Sequence, residues 1–596
     1  KYLLKEIARG FSTYANIAEI PVAGGEIYFD ETYEGNPLVN AMTVGVVKLD
    51  KLSKARASGI GNLVLTIGGP TGRDGVEGAA FASAGITEEA EQKKSAVAIG
   101  DPKMGKILRE ACLELIDKEL IVGMQDMGAA GLICSTCETA YKAGTGIEID
   151  ISKVPRKEEG MSAYEVLLSE SQERMLAIVD KSKLESVKNV LDKWEVPFAV
   201  IGKVTDDGMV RVKDGDKLEA EVPAKALAEG PVYTREEKKP AYLAEVNKLD
   251  LSSVPQPKDM NDVLLKLLAN PTIASKEWVF KKGDPKLGKT IPVGPGTDAG
   301  VMAVPGSKKG VAATTDCNGS YVYLDPFFGS AIAVAESARN LVCAGAKPLA
   351  ITDGINFGNP KNPEIYWQFH QAALGISEAC KKLNTPVVSG NVSFNNENPK
   401  GSVDPTPVIG MVGVIEDAGK AITQSFKAAG DVILLVGETH EEIGGSQYLQ
   451  TIHDQKKGPL PKLDLDLEKR VQDTVLEAIQ KGLVASAHDC SEGGLAVALA
   501  ECCITDAKDQ LGAEVLLDGA KIRPDALLFG ETQSRIIISA KPANAAEIEK
   551  LCRKNKVPVS RLGTVGKESL KIEGLIDLKL SEMDRAWRES IPRALA

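Results

Sequence analysis

The chain has 596 residues, 43% hydrophobic and 26% charged, with a formal net charge of −12. That length calls for three or four domains rather than one core, and the composition excludes a disordered chain. No run approaches the ~18 apolar residues of a membrane span, and an acidic balance with a pI near 5.3 excludes a nucleic-acid footprint, which needs clustered Lys and Arg.

Residues 1–19 read as a helix, with Leu3, Leu4, Ile7 and Phe11 near helical spacing. A strand to about Tyr28, an acidic loop and a strand over Val39 to Val47 follow. The apolar strand Leu63 to Gly68 leads into Gly68-Gly69-Pro70-Thr71-Gly72-Arg73-Asp74-Gly75, where backbone N–H groups can approach an anion. The loop has neither the Walker nor the dinucleotide pattern, so it is either a structural turn or a lid or phosphate-contacting loop. Asp126 sits in the Gly/Ala-rich turn Met124 to Gly131; it can cap the following helix, or hold a hard cation while the glycines let phosphate come close. Cys134 and Cys137 have the CxxC spacing without a second pair or a nearby His, which favours packing within a helix over a zinc site. The ten cysteines, irregularly spaced, suit the reduced thiols of a cytoplasmic protein.

Glu170-Ser171-Gln172 sets an acceptor, a hydroxyl and an amide side by side, suited to a polyhydroxylated ligand or to a strand-edge network. The polar stretch from Val222 to roughly Asp284 contains six prolines and one short helix around Met260 to Leu268, the character of a linker. Beyond it, Asp353 ends one strand and Ser389-Gly390-Asn391-Val392-Ser393 ends another. Neutral Asn beside carboxylates is consistent with a partly hydrated Mg²⁺ site shared with nucleotide phosphates, and equally with plain strand-end turns. All four histidines, His370, His440, His453 and His488, fall in the second half; they read as structural or surface residues, His488 standing beside Asp489.

The two halves repeat at an offset of about 365 residues. Ile20-Pro21-Val22 returns as Thr385-Pro386-Val387, Gln125-Asp126 as His488-Asp489, and Glu170-Ser171-Gln172-Glu173-Arg174 as Glu531-Thr532-Gln533-Ser534-Arg535. Strands alternating with helices within each copy indicate an α/β (α+β) fold with boundaries near 50, 220, 285 and 425. The second copy continues back through Gly294 to Asp298, whereas the first is cut at Lys1. That asymmetry predicts a chain lacking an upstream portion.

The strings at 68–75, 125–131 and 168–175, together with Tyr321-Val322-Tyr323-Leu324-Asp325-Pro326, Ser389 to Ser393 and Ser486 to Gly494, resemble the synthetase subunit of the phosphoribosylformylglycinamidine synthase family in its small, stand-alone form. The resemblance covers essentially the whole chain. It implies tandem duplicated two-domain units of the aminoimidazole ribonucleotide synthetase-like ATP-binding superfamily. By it, 1–50 is a remnant of the first N-type (ATP-binding) domain, 51–220 the first C-type domain, 221–284 a linker, 285–425 the second N-type domain and 426–596 the second C-type domain. The implied activity converts formylglycinamide ribonucleotide to formylglycinamidine ribonucleotide with ATP, Mg²⁺ and ammonia, in purine biosynthesis in the cytoplasm. A glutaminase subunit and a small accessory subunit are the implied partners.

By the same resemblance Asp126 and Asn391 hold Mg²⁺, Asp353 and Gly390 contact ATP, and Glu170, Ser171, Gln172 and Ser393 contact substrate. No catalytic residue is implied within this chain, the family's His residues belonging to a segment of ~140 residues upstream of Lys1, so the chain is expected to be inactive alone. The alternative is a truncated pseudoenzyme that keeps only nucleotide binding or complex assembly. Ala98 stands where the family has a substrate-binding Gln, and Ser320 where it has Arg. The repeat partners of the metal ligands, Asp489 and Glu26, would line a pseudo-symmetric site.

Overall fold

The computed structural model describes residues 1–76, 100–283, 291–517 and 522–596. Ala98 and the boundary expected near 285 lie outside the described residues. Two compact units emerge: a smaller one of residues 17–20 and 45–234, and a larger one of 1–16, 21–44 and 235–596.

The smaller unit is built on seven strands: β1 (Leu63–Gly68), β2 (Gly123–Asp126), β3 (Gly146–Asp150), β4 (Arg174–Val179), β5 (Phe198–Thr205), β6 (Met209–Asp214) and β7 (Lys217–Pro223), in the order β2-β4-β1-β5-β3-β6-β7. β1 is buried on both faces because its alternate residues serve two cores. Leu65 and Ile67 pack with Leu108, Leu115, Val187 and Leu191 of the helices Pro102–Asp117 and Leu184–Lys193. Val64 faces Leu132, Ile147 and Leu176 on the other side. Each such aliphatic side chain, fully buried, contributes roughly 1.5–3 kcal/mol. Cys134 and Cys137 lie on the helix Gly131–Ala143.

The larger unit holds two sheets. The first is β11-β10-β14-β9-β8, from β8 (Gly300–Ala303), β9 (Gly310–Asp316), β10 (Lys347–Asn356), β11 (Val387–Ser393) and β14 (Thr406–Ile415), with a small hairpin of β12 (Glu397–Asn398) and β13 (Gly401–Ser402). The second comprises β15 (Val432–Val436), β16 (Ser486–Asp489), β17 (Ala513–Val515), β18 (Ile536–Ala540), β19 (Val559–Val565), β20 (Ser569–Ile572) and β21 (Ile576–Lys579), in the order β16-β18-β15-β19-β17-β20-β21. That is the smaller unit's order strand for strand. Even the irregularity repeats, the β1–β5 register shifting at Val64/Leu65 and the β15–β19 register at Ile433/Leu434.

Two expectations are corrected. The helix Tyr2–Ala18 forms, but neither the stretch up to Tyr28 nor Val39 to Val47 is a strand. A strand needs ladder partners for its backbone groups. In the second copy β10 supplies them to both β11 and β14, and among the described residues the first half has no counterpart of β10. The segment docks elsewhere: Phe29 N donates to Thr272 Oγ1 at 3.1 Å, and Asn356 Nδ2 donates to Asn40 Oδ1 at 3.4 Å.

The stretch 254–273 is no solvated linker either. The helix Met260–Leu268 buries Val263, Leu264, Leu267 and Leu268 in the core around Ile433 and Leu495. Trp587 Nε1 donates to Ile273 O at 3.0 Å. Its apolar face is too wide to leave in water, which overrides the proline-rich composition.

Candidate active site

Each seven-stranded sheet ends in the same anchor. Gly68, closing β1, has φ 110°, and a Cβ there would lie 2.1 Å from Glu173 O; Gly437, closing β15, has φ 111° and Ser534 O at 2.2 Å. No other residue type fits so close a crossing. Arg174 donates to Ser171 O at 2.7 Å, Ser169 O at 2.6 Å and Thr71 Oγ1 at 2.8 Å. Arg535 donates to the equivalent Thr532 O at 2.8 Å, Gly530 O at 2.7 Å and Thr439 Oγ1 at 3.1 Å. Glu170 accepts from Ala130 N at 2.9 Å, as Glu531 does from Gly493 N at 2.8 Å. The repeated Glu-Ser/Thr-Gln string is thus the rim of a turn held by a buried guanidinium.

On the smaller unit's anchor Ser171 is buried. Its hydroxyl donates to Asp74 Oδ1 at 2.7 Å and accepts from Gly72 N at 3.0 Å, clamping the Gly-rich loop. Thr71 pairs with Arg156 across a parallel bridge, Thr71 N donates to Pro155 O and Lys157 N to Thr71 O, both at 2.8 Å. Arg73 is held by Glu158 and Glu165 at 2.7 and 2.8 Å. Burial pushes the Asp74 carboxyl up, but Ser171 and Lys157 outweigh it and hold it below its ordinary value. Gln172 is exposed, as is Asp126, whose Oδ1 accepts from Gly128 N at 2.9 Å.

The other predicted residues sit in the larger unit's first sheet. Asp353 on β10 lies opposite Gly390 on β11, and Gly354 opposite Asn391. A Cβ on Gly390 would meet Asp353 Oδ1 at 2.1 Å, so glycine is what lets the carboxylate lean over the neighbouring strand. Asp353 borders a cavity of about 420 Å³ lined also by Ile355, Ile376, Cys380 and Thr385. Burial raises its carboxyl above the ordinary value. Asn391 is exposed on this edge strand, and Ser393 Oγ donates to Asn396 Oδ1 at 3.4 Å. Ser320 is fully buried in the helix Gly319–Leu324, its hydroxyl on Gln450 Oε1 at 3.4 Å. Asp126 in the smaller unit and Asn391 in the larger each present an exposed side-chain oxygen of the kind that suits a hard, partly hydrated cation.

A second cavity of about 210 Å³ surrounds Asp489, lined also by Glu26, Asp298, Asp316, Glu336 and Glu492. His488 Nδ1 lies 2.6 Å from Asp298 Oδ1 and its Nε2 3.2 Å from Glu501 Oε2. Burial depresses the imidazole, yet these two carboxylates hold it well above its usual range. Burial, reinforced by Glu492, pushes Glu26 up to about 8, and burial draws Lys276 down to about 8. Fully buried Arg339 donates to Glu468 Oε2 at 2.8 Å and Gln533 Oε1 at 3.0 Å, with Asp489 at 3.6 Å. Among the described residues, Asp298, His488 and Asp489 form a set of three possible metal ligands. Sequence reading singled out Asp489, Glu26 and His488 here and missed the rest. Glu336 and Arg339, two charges inside the apolar run of the helix Pro326–Cys343, were the clue available.

Family models describe both halves. The AIR synthase related protein C-terminal domain matches residues 59–215 and 428–574, and the corresponding N-terminal domain matches 1–47 and 296–415. The chain is 50% identical over 597 residues to phosphoribosylformylglycinamidine synthase subunit PurL of Alkaliphilus metalliredigens, covering 99% of this chain and 80% of that protein. It is 50% identical over 601 residues to the same subunit of Moorella thermoacetica, covering 100% and 81%. Among solved structures, T. maritima PurL complexed with FGAR is 27% identical with a TM-score of 0.73, over 94% of this chain and 81% of that one. The same protein complexed with ATP gives 26% and 0.70, over 94% and 80%. The chain belongs to the phosphoribosylformylglycinamidine synthase subunit PurL family, ligase-type enzymes of purine biosynthesis.

Proposed function

We propose that the chain supplies substrate-, ATP- and metal-binding residues of the synthetase half of this reaction in the cytoplasm, in which formylglycinamide ribonucleotide is activated by ATP at its amide oxygen and ammonia then displaces phosphate. The observation that carries the reading is the contrast between the repeated anchors, the first leaving Asp126 and Gln172 exposed and the second burying Asp489 and Gln533. Only the first offers its polar groups to a soluble substrate.

In this reading Glu170, Ser171, Gln172 and Ser393 position the ribonucleotide, while Asp353 and Gly390 receive ATP beside the 420 Å³ cavity. Asp126 and Asn391 would hold Mg²⁺, which supplies charge neutralisation for phosphoryl transfer when bound. We assign no catalytic base among the described residues, since His488 is engaged by two carboxylates and His370 pairs with Glu237. A solved neighbour is the structure of PurLQS from Thermotoga maritima, whose name implies a multi-subunit complex; for this chain we take a glutaminase and a small accessory subunit as the partners. Among the described residues no helix is long and apolar enough to cross a membrane.

Titration with ATP tests the reading. Gly390→Ala puts a methyl group where the Asp353 carboxylate lies and should weaken ATP binding about tenfold or more while leaving ribonucleotide affinity intact. Unchanged ATP affinity would place the nucleotide elsewhere.

A further inference from the structure

A ribonucleotide brings a phosphate monoester of charge about −1.5 to −2 at pH 7, which a cation beside the rim formed by Glu170, Ser171 and Gln172 would neutralise. Among the described residues, Arg73, Arg156, Lys157 and Arg174 are the basic side chains of the Gly-rich loop, the segment bridged to it and the anchor, and Arg156 is committed to Met161 O at 3.3 Å and Ile151 O at 2.9 Å. Arg174 is 5% exposed, with all three of its bonds made to neutral oxygens of the anchor itself. Arg73 is engaged by Glu158, by Glu165 and by Gly160 O at 3.0 Å. Lys157 differs. Its side chain is 40% exposed, and its ammonium touches Asp74 at 3.2 Å from each carboxylate oxygen, a long contact for a charge-assisted pair.

The main chain around Lys157 is fixed, and its half-exposed ammonium is bonded to Asp74. Lys157 N donates to Thr71 O, and the parallel bridge beside it pins the segment to the Gly-rich loop. Gly72 makes room for the stem: a Cβ there would lie 2.8 Å from Lys157 Cδ and 2.3 Å from Asp74 Oδ1. Asp74 in turn is held by the Ser171 hydroxyl at 2.7 Å, so it stays in place when the ammonium swings away.

We infer that Lys157 is the ligand of the substrate's phosphate monoester, with Asp74, fixed by Ser171, acting as the positioning residue that parks the ammonium at the rim until the phosphate arrives. The inference rests on the assignment of Glu170 to Gln172 to substrate made above. It explains two features of this loop together: glycine at 72, which clears the lane for the lysine stem, and a carboxylate at 74 bonded to a residue of the substrate rim.

The test is calorimetric titration of the full chain with formylglycinamide ribonucleotide and with its dephosphorylated ribonucleoside. The unsubstituted chain should prefer the ribonucleotide. Lys157→Ala should lose about ten- to hundredfold in affinity for the ribonucleotide, as expected for one charge-assisted bond, with ribonucleoside affinity and melting temperature unchanged. Lys157→Arg should keep the preference to within about fivefold, since the charge is retained. If the unsubstituted chain shows no preference, the substrate rim itself is misassigned. If it does and both Lys157 variants retain it in full, the rim stands and the role of Lys157 is overturned. A parallel loss for ribonucleoside and ribonucleotide would overturn it too, as damage to the loop rather than loss of a phosphate ligand.

Discussion

The two seven-stranded sheets share strand order, bulge position and the arginine-held turn, yet they differ in what the turn faces. In the smaller unit Gln125 Nε2 donates to Glu138 Oε2 at 3.1 Å. In the larger unit the equivalent His488 meets the equivalent Glu501 and adds Asp298. Glu531, besides accepting from Gly493 N as Glu170 accepts from Ala130 N, also accepts from Gln447 N at 2.8 Å and from the Tyr321 hydroxyl. The backbone frame is therefore indifferent to electrostatics. A handful of side chains contributed by neighbouring elements decide whether a copy presents its acids to solvent or buries them in a network.

The largest expected effect tests whether that network holds the larger unit together. Arg339→Ala removes the cation facing Glu468 and Asp489 and leaves buried carboxylates uncompensated, a loss of about 3–5 kcal/mol. Chemical denaturation of the whole chain should show it. In the smaller unit the buried guanidinium of Arg174 bonds neutral oxygens instead of carboxylates. A loss below about 1 kcal/mol would mean that the buried acids take up protons instead of relying on the guanidinium.

Next comes the pair Asp126→Asn and Asp489→Asn. With Asp126 as a metal ligand, its loss, measured in a protein that also carries the family's upstream catalytic segment, should lower ATP- and ammonia-dependent turnover about a hundredfold or more while hardly moving the melting temperature. Asp489 sits among carboxylates whose charge it opposes, raising Glu26, Asp298 and Glu492. Its neutralisation should raise the melting temperature at pH 8 and leave turnover within about threefold. The reverse pattern would exchange the roles of the two copies.

Much of this was legible in residues. The duplication, the Gly68 and Gly437 loops and the Glu-Ser/Thr-Gln strings could be aligned by eye, because a turn crossing at 2.1 Å admits only glycine and a fixed hydrogen-bond frame fixes residue type. The fate of 39–47 could not be read, since a strand depends on a partner that periodicity does not reveal. Nor could the burial of Ser171: a hydroxyl looks the same in sequence whether it stands open at a rim or, as here, is buried with bonds to Gly72 and Asp74. The acid cluster was hidden for a third reason. Asp298, Glu336 and Glu501 are far apart in sequence and meet only in the folded unit.

Proton linkage separates the two units by the sign of their pH dependence. Glu26 has its folded pKa raised from 4.5 to about 8, so the folded chain keeps a proton that the unfolded chain releases. Its contribution is greatest below about pH 4.5 and is lost as pH rises toward 8, at no more than about 1.4 kcal/mol per pH unit. In the smaller unit Glu165 is lowered from 4.5 to about 2 by Arg73 and by Ser162. What it contributes is present above pH 4.5 and vanishes as pH falls through 2. Melting temperature should therefore decline between pH 5 and 8, and Glu26→Gln should flatten that decline. Identical slopes for both proteins would show that Glu26 is ionised in the folded state.

The smallest effect bears on the one rim position where the copies carry different hydroxyls. Ser171 clamps its loop with bonds of 2.7 and 3.0 Å. Thr532, its counterpart, accepts from His440 N at 3.2 Å and donates to His440 O at 3.3 Å. One neutral bond is worth about 0.5–1.5 kcal/mol and one to a carboxylate more, so Ser171→Ala should cost about 1–2 kcal/mol and Thr532→Ala less than about 1. Hydrogen exchange gives the sharper readout. The Gly72 amide loses its acceptor in Ser171→Ala and should exchange about tenfold faster or more, while Ser171→Thr, which restores the hydroxyl in the form the second copy uses, should return it to protection. If Ser171→Thr stays as unprotected as Ser171→Ala, the two clamps are not interchangeable, and the equivalence of the copies ends at the main chain.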